Sequence, residues 1–420
     1  MKEALKGNIV HAPALGELSI VEQGYLLLED GVITGIEQVL PQSYDGTVRD
    51  YGDRLILQSF ADMHLHAPQY PMLGMGMDLP LMEWLQRYTF RTEARFADLD
   101  YARRIYHRLA SDLITNGTTR VCMFSSLHTE ATWILMEELE KAGVTGYVGK
   151  VNMDRNGAPG VLEETTEESE RETLRWLEGC RFEHIKPILT PRFTPSCSDE
   201  LMGWLGNLAK ERGLYVQSHL SESAGEMELV SQLHPECQRY WQTYEKYGLW
   251  KDHTLMAHCV HSDAAERQAI KDHNVVAVHC ADSNINISSG ICPVKKMLQE
   301  GLWVTLGSDI AGGAQLPMYR VITTTIRSSK VRQIMDDWKT DFLTVAEGYY
   351  LGTTAGHKYF GAGDGFVVGD KLHAVVLDDS DFVEATRALT VAERFERALY
   401  MTHRHNITAV WSDGRCVVER

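Results

Sequence analysis

Along residues 1–56, short apolar runs alternate with Gly and Asp turns, as in "YLLLEDGVITGIEQVL", a pattern that predicts hairpin β-structure. Residues 366–420 repeat it: "GFVVGDKLHAVVLDD" and "ITAVWSDGRCVVER" each read as strand, Gly turn, strand. Between them, short β-rich runs are separated by stretches with apolar residues three and four apart, such as "ESERETLRWLEGC" and "DELMGWLGNLAKERG", the spacing of amphipathic helices. Eight such runs occur, at 55–66, 118–126, 146–154, 184–193, 214–222, 253–261, 275–284 and 302–309. Strands alternating with helices predict an α/β chain, a (β/α)8 barrel over residues 57–365. The two ends, 1–56 and 366–420, are expected to build one small β-sandwich together.

The runs begin apolar and end in residues that bind metals or ligands: His64 and His66, Arg192, His219, His258, His279 and Asp309. In such a barrel the C-terminal strand ends meet at one face, where active sites are built. His64 and His66, in "QSFADMHLHAPQYP", are two apart on a strand and therefore face the same side. With His219, His258 and Asp309 they form a donor set suited to one borderline cation, Zn²⁺ or Fe²⁺, with room for water. Such a cation brings the pKa of its water to about 7 and makes a hydroxide nucleophile available. Glu222, just past His219 in "SHLSE", is placed to carry protons; its other reading is a helix cap.

Other patterns narrow the choice. Lys186 lies near the start of the fourth run, so no lysine stands at that strand's end to bridge two cations, and one cation is expected. The H-x-E…P-C-x-x-C zinc-deaminase pattern is excluded, because "HPEC" at 234–237 has no C-x-x-C after it. "GAGDGF" at 361–366 lacks phosphate-loop spacing and reads as a turn, and the methionine cluster "MLGMGMDLP" at 72–80 reads as adaptable packing beyond the first strand.

Composition adds bounds. With 420 residues, 44% of them hydrophobic, the chain can bury one large core with an appendage. A net charge of −17 argues against nucleic acid or an anionic membrane as partner. Eight scattered cysteines without a C-x-x-C pair, no apolar leader and no membrane-length apolar run predict a cytoplasmic protein.

Taken in order, "DMHLHAPQY", "GTTR", "GKVNMD", "TPRFTPSC", "QSHLSE", "MAH", "HCADSN" and "GSDIAGG" closely resemble the motifs of the guanine deaminase family in the amidohydrolase superfamily, over roughly residues 50–370. The resemblance implies metal binding by His64, His66, His219 and Asp309, with His258 a further ligand or a hydrogen-bonding partner of the metal's water. It implies that Asp309 takes a proton from that water, that Glu222 passes it to the purine, and that Gln69, Arg192 and Phe193 hold the base beside His219 and Glu222. It also implies one Zn²⁺ per subunit, with Fe²⁺ possible, a homodimer, and conversion of guanine to xanthine and ammonia in purine catabolism or salvage.

Donor chemistry supports that substrate, since guanine presents an acceptor at C6 where adenine presents a donor, and arginine only donates. Gln69 both donates and accepts, and Phe193 offers a stacking face. The competing readings are an ion pair for Arg192, plain core for Phe193, another aminated or chlorinated heterocycle as substrate, and a catalytically silent scaffold. The chain departs from the family's pattern at Gln58–Ser59, at Cys280–Ala281, and at Leu372–His373.

Overall fold

A computed structural model describes residues 1–420. Its strands are β1 (Lys2–His11), β2 (Ser19–Glu29), β3 (Val32–Glu37), β4 (Thr47–Gln58), β5 (Phe60–His66), β6 (Thr118–Phe124), β7 (Thr145–Gly149), β8 (Val151–Asn152) and β9 (Ile185–Pro187). They continue with β10 (Thr190–Pro191), β11 (Gln217–Leu220), β12 (Leu255–His258), β13 (Val276–His279), β14 (Val304–Leu306), β15 (Ala374–Leu377), β16 (Ile407–Ser412) and β17 (Arg415–Glu419).

Both chain ends meet in one seven-stranded sheet, β17-β16-β15-β4-β1-β2-β3. Its pairing is continuous, where the sequence suggested a two-layered sandwich. Alternate residues of β4 and β15 serve two cores: Ile56 and Val376 pack with Leu5, Ile9 and Trp411 in a small cluster, while Leu55, Leu57 and Val375 join the main one. A sheet buried on both faces needs apolar residues at both parities, and β4 supplies them in "LIL".

The central runs form two parallel four-stranded sheets, β5-β6-β7-β9 and β11-β12-β13-β14, with β8 and β10 paired separately. This differs from the single closed eight-stranded barrel expected. The fourth run is divided into β9 and β10 by Pro187 and Pro191, which have no N–H to give a ladder. Hydrogen bonds nevertheless join the sheets at two seams: Gln217 N–H to Leu189 O (2.9 Å), and Asp309 N–H to His64 O (2.8 Å). Gly307 makes the second seam possible, because a Cβ there would lie 2.8 Å from His64 O and Cβ.

Helices pack outside these sheets. Asp199–Arg212 buries Leu201, Met202, Leu205, Leu208 and Ala209, is capped by Ser198, and ends at left-handed Gly213. No helix is long and apolar enough to cross a membrane, and all eight cysteines are unpaired.

At the N-terminal ends of the strands, two of the departures from the family's pattern, Ser59 and His373, join one network. Ser59 Oγ meets Thr119 Oγ1 (2.6 Å), which meets His373 Nδ1 (2.9 Å). His357 Nε2–H donates to Ser59 O (2.7 Å) and its Nδ1 accepts from Arg120 Nη1 (2.8 Å). Gln58 turns aside to Thr354 Oγ1 (3.0 Å) and accepts from Ala12 N–H (2.8 Å).

Candidate active site

β5 delivers His64 and His66, β11 His219, β12 His258, and the turn after β14 Asp309; all five are buried. Asp309 Oδ1 lies 3.3 Å from His64 Nε2 and 3.5 Å from His66 Nε2. Nε2 of His66 and of His219 face each other at 3.1 Å. Ligand atoms of His64, His66 and Asp309 lie within 4.8 Å of one another, as do those of His64, His219 and His258. His64 Nε2, common to both groups, is buried with no hydrogen-bond partner.

Outer contacts aim the rings. His219 Nδ1 is 2.5 Å from Arg192 O and His258 Nδ1 is 2.9 Å from Asn284 Oδ1; each acceptor fixes the proton on Nδ1 and leaves the Nε2 lone pair facing inward, as a ligand requires. Phe124 packs against His64, His66 and His219 at centroid distances of 5.0, 4.7 and 4.9 Å. Asp62 accepts from Ser308 N–H (2.9 Å) and Oγ–H (2.5 Å), holding the β14 turn against β5. Asp309 and His258 adopt left-handed backbone, φ 48° and 75°, a strain of about 1–3 kcal/mol each that persists only where the surroundings enforce it.

Burial lowers the pKa of His64 and drives His66 and His219 well below the usual range, where adjacent imidazoles add to the effect; all three are therefore neutral donors at pH 7. Burial alone would raise Asp309, but the neighbouring His64, His258 and His66 imidazoles hold it well below the ordinary carboxylate range. Burial, then the charge of Asp309, pushes Glu222 up to about 8. Four imidazoles and a carboxylate aimed at one volume, including an unpartnered Nε2, fit a divalent cation.

Glu222 stands 3.5 Å from His258 Nε2 and receives Ser289 Oγ–H at 3.4 Å. It does not cap the following helix, Ala224–Leu233: Ser223 and Glu226 form that capping box, and Glu226 also receives Glu222 N–H at 2.9 Å. The Glu222 carboxyl is thereby left to the cavity.

That cavity includes Gln69, Arg192, Phe193, His219 and Glu222 in its wall, together with Leu81, Trp84, Leu85 and Ile287. Arg192 and Gln69 converge on Glu93. Arg192 Nη1 and Nη2 donate to its two oxygens at 2.6 and 3.1 Å, and Gln69 Nε2 donates at 2.8 Å. Arg192 thus has an ion pair and a place in the cavity wall at once, with three of its five N–H groups left over. Phe193 is buried and edge-on to His219 at 6.3 Å. His279 ends β13 outside both ligand groups, its ring nitrogens unpartnered and its pKa lowered to about 4 by burial.

Sequence reasoning missed Glu93, Phe124, Asn284 and Asp62. Asn284 closes one of the β-rich runs and Phe124 stands two residues before the end of another, so strand-end position was an available signal; Glu93 sits in "FRTEARF", which reads as a solvated helix.

Parallel strands that bring these residues to one mouth define a class, the amidohydrolases, and the amidohydrolase family model matches residues 55–417. Guanine deaminase of Dictyostelium discoideum is 34% identical over 97% of this chain and 96% of its own length, and that of Homo sapiens 36% over 86% and 82%. The structure of a guanine deaminase from C. acetobutylicum, with guanine bound in its active site, superposes with a TM-score of 0.96 at 39% identity, covering 99% of this chain and all of that one. The chain belongs to the guanine deaminase family within the amidohydrolases.

Proposed function

We propose that this chain catalyses hydrolytic deamination of guanine to xanthine and ammonia. The observation that carries the reading is similarity to guanine deaminases over nearly the whole chain, in which the convergent imidazoles and Asp309 share one cavity wall with Gln69, Arg192 and Glu222.

His64, His66, His219 and Asp309 are assigned as holders of one divalent cation, taken as zinc, with His258 turned to the same centre by Asn284. Such a cation, when bound, lowers the pKa of a coordinated water to about 7. Asp309 then accepts a proton from the attacking water and Glu222 delivers protons to the ring and to the amino group leaving C2. Oxygen adds to C2, the C2–N bond breaks, and nitrogen leaves as ammonia. Arg192 offers remaining N–H groups to the C6 carbonyl, while Gln69 meets the purine edge and Phe193 and Trp84 exclude water. Adenine presents a donor to the same guanidinium, and buried donors facing each other discriminate strongly. Glu93 positions Arg192 and Gln69 together and so sets the geometry of recognition.

The same reading takes the two parallel sheets as halves of a (β/α)8 barrel. It takes the chain as a homodimer acting in cytoplasmic purine catabolism or salvage, on the family resemblance. Purified protein assayed against guanine, adenine, pterins and chlorinated triazines, with metal content measured, tests it: xanthine and ammonia in equal amounts from guanine are expected. Turnover of another heterocycle without guanine turnover would overturn the substrate assignment.

A further inference from the structure

The H-x-E of "HPEC" finds a third partner in space. His234, at the end of the helix Ala224–Leu233, is buried and neither ring nitrogen has a hydrogen-bond partner. Its Nδ1 points between two surface carboxylates, 3.8 Å from Asp199 Oδ1 and 3.6 Å from Glu236 Oε1, and ligand atoms of the three residues lie within 4.8 Å of one another. Those separations are too long for hydrogen bonds. They are close to the roughly 3.4 Å that separates two ligand atoms on a tetrahedral ion at zinc–nitrogen and zinc–oxygen distances. We propose that His234, Asp199 and Glu236 form a second site for a divalent transition metal ion, zinc, separate from the centre at the strand ends.

The donor chemistry favours zinc over magnesium or calcium, because one ligand is an imidazole. Lys246 is the internal competitor: its Nζ lies 2.8 Å from Glu236 Oε1 and 3.4 Å from Asp199 Oδ2, supplying a positive charge when no ion is bound. The same Nζ lies over the Tyr247 ring, 4.9 Å from its centroid. The site joins two parts of the chain that are remote in sequence. Asp199 opens the helix Asp199–Arg212, whereas His234 and Glu236 begin the segment whose Tyr240 OH donates to Glu226 (2.7 Å) and whose Tyr244 OH donates to His219 O (2.7 Å). An ion there acts as a clamp behind the wall that carries His219 and Glu222.

The test is zinc bound per chain in purified, chelator-stripped and zinc-reconstituted protein, for wild type, His234→Ala, Asp199→Asn and Glu236→Gln. Two equivalents in wild type and one in each variant are expected, with zinc raising the melting temperature of wild type more than that of the variants. Lys246→Met should bind the second equivalent several-fold more tightly. One equivalent in wild type, or two in every variant, would overturn the site; weaker binding in Lys246→Met would overturn the competition. The exposed Asp199 and Glu236 variants keep the result readable should His234→Ala fail to fold. Because the central site is untouched in all of them, loss of that site's zinc appears as a separate outcome.

Discussion

Two buried clusters of histidines sit at opposite ends of the same parallel strands. At the N-terminal ends, His357 and His373 are enclosed by Arg120, Ser59 and Thr119 in a chain of hydrogen bonds between 2.6 and 2.9 Å. At the C-terminal ends, His64 Nε2 has no partner, the His66 and His219 nitrogens face each other, and Asp309 and His258 hold strained backbone. In the first cluster every imidazole nitrogen has a protein partner. The other leaves His64 Nε2 without a hydrogen-bond partner amid three more imidazoles and a carboxylate, a donor set that fits a cation. Burial of histidine therefore has two meanings here, and the partners of the ring nitrogens separate them.

The comparison breaks most decisively at His219. His219→Ala should lose metal and turnover together while leaving the metal-free fold intact, measured by metal content, kcat/KM and apo-protein melting. Glu222→Gln should retain metal and lose roughly two to four orders of magnitude in kcat, the usual range for a general acid/base; unchanged kcat would place the proton carrier elsewhere. Arg192→Lys should cost guanine turnover about 30- to 100-fold, since a compact ammonium cannot reproduce the fork on Glu93 and the C6 contact together. Glu93→Gln should do the same in milder form, chiefly in KM.

The N-terminal cluster should behave in the opposite way. His357→Asn is expected to cost about 1–3 kcal/mol of stability by removing the imidazole acceptor of the buried Arg120, which keeps only the longer bond to the residue 357 carbonyl, with kcat little changed. Burial first, then Arg120, lowers His357 to about 3. The unfolded chain takes up a proton below about 6.5 and the folded one does not, so this contribution is full above pH 6.5. It fades as pH falls toward 3, at about 1.4 kcal/mol per pH unit. Denaturant melts between pH 4 and 7 should show a flatter pH slope in His357→Asn than in wild type.

The hydrophobic pattern made the strands legible, along with the histidines and Asp309 that the structure brings together at their ends, because alternation and strand ends are local properties. Pairing is not local. Pro187 and Pro191 lie in a run that reads as one extended strand, and their missing N–H groups matter only once the neighbouring ladder is known. Glu93 was hidden for a related reason: in a helix with arginines on both sides it looks solvated, and only the fold brings it beneath Arg192 and Gln69. Gln58, Ser59 and His373 read as scattered departures from a family pattern, yet three-dimensional neighbours show Ser59 and His373 bonded through Thr119 in one network.

The most direct test of the central claim is guanine turnover by purified protein before metal removal, after chelation, and after adding back zinc. Equal yields of xanthine and ammonia, abolished by chelation and restored by zinc, are expected. Turnover that survives complete removal of metal, or metal-loaded protein that leaves guanine unchanged, would contradict it.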